Sequence, residues 1–238
     1  MKKILLDENQ KKKLTEILSK FKTYSSFSND KDAAYSFTNI IGVRVCPYCN
    51  IEYTYTVYNK RRKPVLRPDI DHFVPKNKKT GNLKLQLELT NLIPSCFICN
   101  ERLKRDKTFS RNENIHPYYD DFDSIMEFCV SIKDINYLNE NSFDIVFLPK
   151  KNASYNDIKR ANNNINIFKL NERYSFHKNE VVMIFKRIKH YNSSKLREIN
   201  ELIDSDTNLS MIFPEQYCDI NSVSLGKLKK DIIQKYRK

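Results

Sequence analysis

Apolar residues recur every three to four positions near both ends of the chain, a spacing typical of one face of an amphipathic helix. Residues 7–22 hold four such positions, Leu14, Ile17, Leu18 and Phe21. The pattern predicts a helix there, a polar loop over residues 23–31 and a second short helix from Asp32 to Ile41. The same periodicity predicts four later helices, over residues 154–164, 171–191, 195–203 and 225–236.

Other apolar runs predict a smaller number of strands. The stretch from Ile51 to Val57 is rich in Tyr, Thr and Val and favours a strand, and Val65 to Phe73 returns as an extended segment. Leucines alternate with polar residues over 83–89, where a strand and a short helical turn both fit. The run from Phe143 to Leu148 predicts a strand that Pro149 ends. The patterns together predict an α+β fold that is mainly helical.

Two CxxC pairs, Cys46–Cys49 and Cys96–Cys99, interrupt these patterns. Each pair can hold one metal ion from a single turn, and four thiolates complete the closed tetrahedral shell of structural zinc. The segment between the pairs is longer than in a compact zinc ribbon, so we expect a small catalytic element inside it. Cys129 and Cys218 are isolated in apolar contexts, and we expect both to be core thiols.

The charge balance points to a polyanionic partner. The 238 residues include 42 Lys and Arg against 29 Asp and Glu, for a net charge of +13. Nucleic acid and an anionic membrane surface both fit this excess, and simple solubility is the alternative. The N-terminal apolar run Ile4–Leu6 ends at Asp7, short of the roughly 7–15 residues of a signal sequence. With no apolar stretch near the ~20 residues of a membrane span, we expect a cytoplasmic protein without a membrane partner.

The residues between the CxxC pairs suit phosphodiester hydrolysis, which needs a base for water and a cation on the scissile phosphate. His72 suits the role of the base, because its ordinary pKa is near 6.5. Asp71 and the side-chain oxygen of Asn100 are hard ligands suited to Mg²⁺. Neighbours in a strand point to opposite faces, so Asp71 and His72 can serve one site only at a distorted strand end.

These motifs resemble, in order and spacing, the HNH endonucleases with their ββα-metal fold. The resemblance rests on Asp71–Pro75, Asn91–Pro94 and the run from Cys96 to Lys104, and it covers about residues 43–110. It implies His72 as the general base, with Asp71 and Asn100 as ligands of a catalytic Mg²⁺ or Mn²⁺. Asn91 matches the Asn that restrains the connecting loop and orients the base. Asn100 stands where the family often has His, although Asn also occurs there.

The resemblance divides the chain into three regions. Residues 1–42 form an N-terminal helical region, residues 43–120 an HNH nuclease core stapled by zinc, and residues 121–238 a mainly helical C-terminal region. More narrowly, Cys46–Cys49, Asp69–Lys76 and the later His116–Tyr118 resemble HNH effector subunits of Septu-type and retron-associated anti-phage systems. That resemblance implies an ABC-type ATPase partner.

Basic and aromatic residues near the core are candidate substrate contacts. We predict that Lys76 and Lys104 contact phosphate. For His116 a metal or phosphate contact and a packing role against Tyr118 both remain open. Tyr53, Tyr55 and Tyr58 can stack on unpaired bases or serve as ordinary strand residues. The sequence does not separate DNA from RNA, and the alternative function is a catalytically silent zinc module that binds nucleic acid or a partner.

Overall fold

The computed structural model of the protein describes residues 1–76, 82–203 and 209–237. It is a mixture of helices and small sheets and is about 49% helical. Its helices and strands are α1 (Glu8–Leu18), α2 (Tyr24–Asn29), α3 (Lys31–Ile41), β1 (Val57–Tyr58), β2 (Pro64–Leu66), β3 (Asp69–His72), β4 (Leu92–Ser95), α4 (Phe122–Ile125), β5 (Met126–Ile132), β6 (Phe143–Pro149), α5 (Tyr155–Ile167), α6 (Leu170–Tyr174), α7 (Lys178–His190), α8 (Ser193–Ile203), α9 (Leu209–Ile212) and α10 (Gly226–Tyr236).

The N-terminal helices pack on the strand pair β3–β4. Leu14 of α1, Phe27 of α2 and Phe37 of α3 are fully buried together with Ile70 and Leu92 of the two strands. The prediction of a loop over residues 23–31 is wrong, because α2 forms inside it. Its polar residues include a capping box, in which the side chain of Thr23 accepts from the backbone N–H of Ser26 and so starts the helix.

The strands in the described part of the chain form three antiparallel pairs, β1–β2, β3–β4 and β5–β6. The predicted strand over Ile51–Val57 is wrong for most of its length, since only Val57 belongs to β1. The backbone just before Val57 forms the first CxxC turn instead. There the backbone N–H of Cys46 donates to the oxygen of Glu52, and the backbone N–H of Asn50 donates to the oxygen of Cys46. Of the two structures open for residues 83–89, the helical turn is present, as 3-10 turns.

The C-terminal half shares one core with the CxxC turns. Asn50 adopts a positive φ of 55°, and its backbone oxygen accepts from Leu225 while its side chain donates to Ile220. Tyr174 donates its hydroxyl to the backbone oxygen of Cys49 at 2.7 Å. Packing therefore crosses the boundary at residue 120, although the three-region division itself stays a prediction. The C-terminal region also holds the hairpin β5–β6, whose second strand was predicted.

Candidate metal centre and adjoining pocket

The two CxxC turns bring four sulfur atoms together. The Sγ atoms of Cys46, Cys49, Cys96 and Cys99 all lie within 4.8 Å of one another, and all four residues are buried. The Sγ atoms of Cys49 and Cys96 are 3.9 Å apart. Tetrahedral zinc with Zn–S bonds of about 2.3 Å requires sulfur atoms about 3.8 Å apart. The four cysteines can therefore bind a metal such as zinc, as the spacing predicts.

Hydrogen-bond donors surround these sulfurs. The backbone N–H groups of Cys96 and Cys99 donate to the sulfurs of Cys46 and Cys96, each at 3.4 Å. The guanidinium of Arg173 donates to the sulfur of Cys99 at 3.4 Å. Four thiolates around Zn²⁺ carry a net charge of −2, so these donors offset charge that would otherwise be buried. Burial raises the pKa of the Cys46 and Cys99 thiols well above their usual range.

The remaining two cysteines lie outside this cluster. Cys129 is half-buried, with its sulfur 3.1 Å from the hydroxyl of Tyr236. Cys218 is exposed, so the prediction that it is a core thiol is wrong. Among the residues that the structure describes, the four-cysteine cluster is the one group of three or more His, Cys, Asp or Glu side chains close enough to hold a metal ion.

A second feature, a pocket of about 150 Å³, joins the predicted catalytic residues. Asp71, His72 and Asn100 all line it, together with Lys76, Glu101 and Arg105. In the hairpin, His72 of β3 pairs with Leu92 of β4, and Asp69 pairs with Ser95. The chain then passes through Cys96 into a π-helical turn at Ile98–Lys104, which carries Asn100 back to the end of β3. We name this space the hairpin pocket.

His72 is a neutral, oriented side chain at the wall of this pocket. Burial lowers its pKa from 6.5 to about 4. Its Nε2 atom lies 3.1 Å from the backbone oxygen of Gln86. A carbonyl oxygen only accepts, so this contact places the ring proton on Nε2 and leaves Nδ1 as the basic nitrogen. The ring of Tyr24 packs edge-on at 4.3 Å and fixes the imidazole from the side of α2.

Asp71 is held by two buried partners. Its Oδ2 atom accepts from the hydroxyl of Tyr48 at 2.6 Å, and its Oδ1 atom accepts from Nζ of Lys104 at 2.9 Å. Lys104 also donates to the backbone oxygen of His72 at 2.6 Å and is only 1% exposed. Its predicted contact with phosphate is therefore not available, because the ammonium group faces the core as the counter-ion of Asp71.

Asn91 closes the loop between the two strands of the hairpin. Its Oδ1 atom accepts from the backbone N–H of Val74 at 2.7 Å. Its amide nitrogen donates to the backbone oxygens of Val74 and Leu85 at 3.1 and 3.0 Å. The Asn91 backbone oxygen accepts from Phe73, next to His72. Asn91 thus ties the residues after His72 to the loop that contains Gln86, the partner of the imidazole.

Asn100 lines the hairpin pocket and follows Cys99 directly in the chain, so the pocket adjoins the four-cysteine cluster. Its backbone N–H donates to the oxygen of Cys96 at 3.0 Å. Its side-chain hydrogen bonds to described residues both use Nδ2, which donates to Asp69 at 3.4 Å and to Glu101 at 3.1 Å. The amide oxygen is left as the atom of Asn100 that is suited to a cation.

The other two predicted substrate contacts, Lys76 and His116, lie in different surroundings. Lys76 is exposed at the mouth of the hairpin pocket, with its Nζ 4.1 Å from the centre of the Tyr24 ring. His116 is buried behind β3, where its ring lies 4.0 Å from that of Phe73 and its Nδ1 accepts from the backbone N–H of Tyr118. Of the two roles open for His116, the structure has the packing role, and the side chain does not line the pocket.

Sequence reasoning missed the residues that hold the catalytic candidates in place. Tyr48 lies inside the first CxxC and Gln86 in the loop between the strands, and neither type of residue signals chemistry by itself. Asp69 could have been found, since Asp69-Ile70-Asp71 places two carboxylates on one face of a strand.

No helix of the described residues is long and apolar enough to span a membrane. Comparison with protein-family models, curated proteins and solved structures found no match to this chain.

Proposed function

We propose that this chain is a metal-dependent endonuclease of the HNH type, which hydrolyses phosphodiester bonds in DNA or RNA. The observation that carries the proposal is the meeting of His72 and Asn100 in one pocket. Two antiparallel strands followed by a helical turn supply these residues, and Asn91 closes the loop between them. That order is what the sequence resemblance to ββα-metal nucleases implies.

His72 would act as the general base. The imidazole is neutral near pH 7, and the neutral form is the one that can accept a proton from water. Burial lowers its pKa to about 4, so the free site holds a weaker base than an exposed imidazole. The contact with Gln86 fixes the ring and leaves Nδ1 as the acceptor. Lys76 at the mouth of the pocket would attract the phosphate, and this attraction would weaken as salt is raised.

Asp71 and Asn100 would hold the catalytic Mg²⁺ or Mn²⁺ through hard oxygen ligands. Asp69 adds a second carboxylate within 3.4 Å of the Asn100 amide, so the donor set has the chemistry that these cations need. When bound, such an ion stabilises the charge that develops on the phosphate and the leaving oxygen. The ion pair with Lys104 holds the Asp71 carboxylate in place for that role.

The same ion pair favours a second candidate function, a catalytically silent zinc module that binds nucleic acid or a partner. Both oxygens of Asp71 already have a buried hydrogen-bond donor, and Lys104 neutralises the charge of the carboxylate. A carboxylate that is already paired with a cation attracts a divalent metal ion less strongly than an unpaired carboxylate does. The two functions differ in one measurable property, which is cleavage.

The test is a cleavage assay with labelled DNA and RNA, single-stranded and duplex, in Mg²⁺ and in Mn²⁺. We expect the parent protein to cut at least one substrate and His72→Ala to lose on the order of 10²–10⁴-fold in rate, the usual contribution of a general base. His190→Ala is the matched control, because His190 is exposed on α7 and should leave the rate unchanged. Binding without cleavage by the parent would favour the silent module.

The proposal extends to a role as effector of an anti-phage defence system with an ABC-type ATPase partner. Its support is the narrower sequence resemblance. The sequence has no GxxxxGK[ST] motif, so any ATP dependence would come from that partner. The gene next to this chain should be sequenced, and if it encodes an ABC-type ATPase the cleavage assay should be repeated with that ATPase and with ATP. Cleavage that is unaffected by such a partner would count against this extension and leave the nuclease proposal standing.

A further inference from the structure

A groove of about 360 Å³ lies beside the hairpin pocket and is larger than that pocket. We name it the aromatic groove, and its main lining residues are Tyr53, Tyr55, Arg67, Asp69, Ser95 and Phe97. Asp69 joins the two spaces, since it lines the groove and accepts from Asn100 in the hairpin pocket. The volume falls within the roughly 300–1,000 Å³ that is common for small-ligand sites.

Three aromatic rings in this groove face solvent. Tyr53, Tyr55 and Phe97 are 53%, 48% and 53% exposed. Tyr53 and Tyr55 flank Thr54, which is buried and donates to the backbone oxygen of Val43, so the two rings lie on the same, outer side of an extended stretch. Their centroids are 5.5 Å apart. Exposed apolar side chains gathered in one place are typical of a binding surface.

The polar groups of the groove suit a neutral ligand. Its charged residues are Glu52, Arg67 and Asp69, so the lining carries one more negative charge than positive and would repel a phosphate. The hydroxyl of Ser95 is buried at the groove and has no hydrogen-bond partner within the described chain. Carboxylates and a hydroxyl can pair with the amino and ring N–H groups of a nucleobase, while the aromatic rings stack on its face.

Positive charge lies outside the groove, where a phosphate backbone would run. The exposed turn Lys60–Lys63 joins β1 to β2, and Leu66 of β2 lines the groove. On the other wall, the guanidinium of Arg102 lies 5.1 Å from the centre of the Phe97 ring. The groove therefore has stacking surfaces inside and the cation of Arg102 beside Phe97, a combination found in sites that bind single-stranded nucleic acid.

We propose that the aromatic groove binds an unpaired nucleobase of the strand whose phosphate enters the hairpin pocket, so that the preferred substrate is single-stranded or locally unpaired nucleic acid. This inference rests on the proposed nuclease function, because the hairpin pocket supplies the phosphate position. A base in a duplex has its faces covered by its neighbours and cannot stack on Phe97 or Tyr55.

The test measures binding and not cleavage, with full-length His72→Ala protein and fluorescent single strands of about 12 nucleotides, as DNA and as RNA, and their duplexes. We expect one or both single strands to bind more tightly than the matching duplex. In Phe97→Ala the affinity for the single strand should fall by roughly 5- to 150-fold, which is the range for loss of one stacked base. Duplex affinity should change by no more than about twofold.

A scan with abasic sites then locates the stacked base. Removal of one base should weaken binding to the protein that retains Phe97 and should cost nothing further once Phe97→Ala has been made. Equal losses for single strand and duplex, or an abasic penalty that is the same with and without Phe97, would overturn the inference. The experiment has a DNA arm and an RNA arm, and the arm that shows the effect identifies the sugar.

Two variants separate stacking from damage to the fold. Phe97→Tyr keeps the ring and should bind like the parent. Phe176→Ala removes a ring that is even more exposed, at 84%, and that lines no part of the groove, so it should change nothing. Zinc content, measured on each variant, checks that the adjacent Cys96 still binds metal. Base-sensitive binding without any cleavage would defeat the proposed nuclease function alone, and cleavage with base-insensitive binding would defeat this inference alone.

Discussion

The hydroxyl of Tyr48 lies 2.6 Å from Oδ2 of Asp71, and this bond joins the metal cluster to the hairpin pocket. Tyr48 is one of the two residues between Cys46 and Cys49, and its ring stacks on Phe168 at 4.6 Å. The turn that holds two metal ligands therefore also holds the carboxylate beside the candidate base. A second link runs through Cys99 and Asn100, which are neighbours in the chain, so the metal centre fixes the pocket from both sides.

Replacement of Tyr48 by Phe tests the first link. The change removes one buried hydrogen bond to a charged carboxylate and should lower the free energy of unfolding by about 1.5–3 kcal/mol. Zinc content should not change, because the sulfur ligands are untouched. Denaturant unfolding at fixed zinc concentration measures the loss. Tyr55→Phe removes a hydroxyl from a half-exposed ring and should stay within about 0.5 kcal/mol of the parent. A zinc loss in Tyr48→Phe would mean that the hydroxyl supports the metal site itself.

Lys104→Met tests whether Lys104 serves as a buried counter-ion. It leaves the buried carboxyl group of Asp71 without its ionic partner, which should destabilise the protein by about 3–5 kcal/mol. The double variant Lys104→Met with Asp71→Asn should recover part of that loss, because no unpaired charge remains. The recovery is measured as a double-mutant cycle from denaturant unfolding. Lys22→Met, at an exposed position, is the control. Additive losses in the cycle would contradict the pairing.

Removal of the metal tests the four-cysteine centre. Metal analysis should give about one zinc per chain, and a chelator should unfold much of the protein, because the cysteines lie inside the main hydrophobic core. Cys49→Ser should reduce zinc content and stability together. Cys218→Ser is the matched control, since Cys218 is exposed and lies outside the cluster, and it should keep both. Full zinc binding by Cys49→Ser would exclude a four-sulfur site.

Acidification tests the burial of His116. Burial lowers the pKa of His116 from 6.5 to about 4, so between these values the unfolded chain takes up a proton that the folded chain does not. The stability contribution is complete above about pH 6.5 and is lost as the pH falls toward 4. We expect His116 to account for a loss of about 2 kcal/mol between pH 7.5 and pH 5.

The measurement is denaturant unfolding over this pH range at constant zinc load. His116→Phe keeps a ring in the site and should flatten the dependence on pH, whatever its effect on stability at pH 7.5. His190→Phe, at an exposed position, should leave the slope of the parent unchanged. His72 has a pKa that is lowered to the same extent and supplies a second part of the slope. An unchanged slope in His116→Phe would show that the buried ring is not the titrating group.

Several features follow from the sequence alone, because they depend on local pattern. The spacing of the two CxxC pairs predicts the four-sulfur cluster, since two turns of fixed geometry need only meet. Apolar periodicity predicts α1, α3 and α5, including the cap of α5 at Ser154. The family resemblance that Asp71, His72, Asn91 and Asn100 carry implies a shared site, and three of these four residues line one pocket.

What only the tertiary structure decided is which charged and aromatic residues face inward. The sequence predicts a phosphate contact for Lys104, but the π-helical turn directs it to Asp71, where it pairs with a buried carboxylate that needs a partner. His116 becomes part of the core through contacts with Phe73 that no local pattern encodes. Phe97 is distant in sequence from Tyr53 and Tyr55, and the three rings form one groove only when the two CxxC turns meet. Contacts between distant segments set these roles, and periodicity and spacing describe only near neighbours.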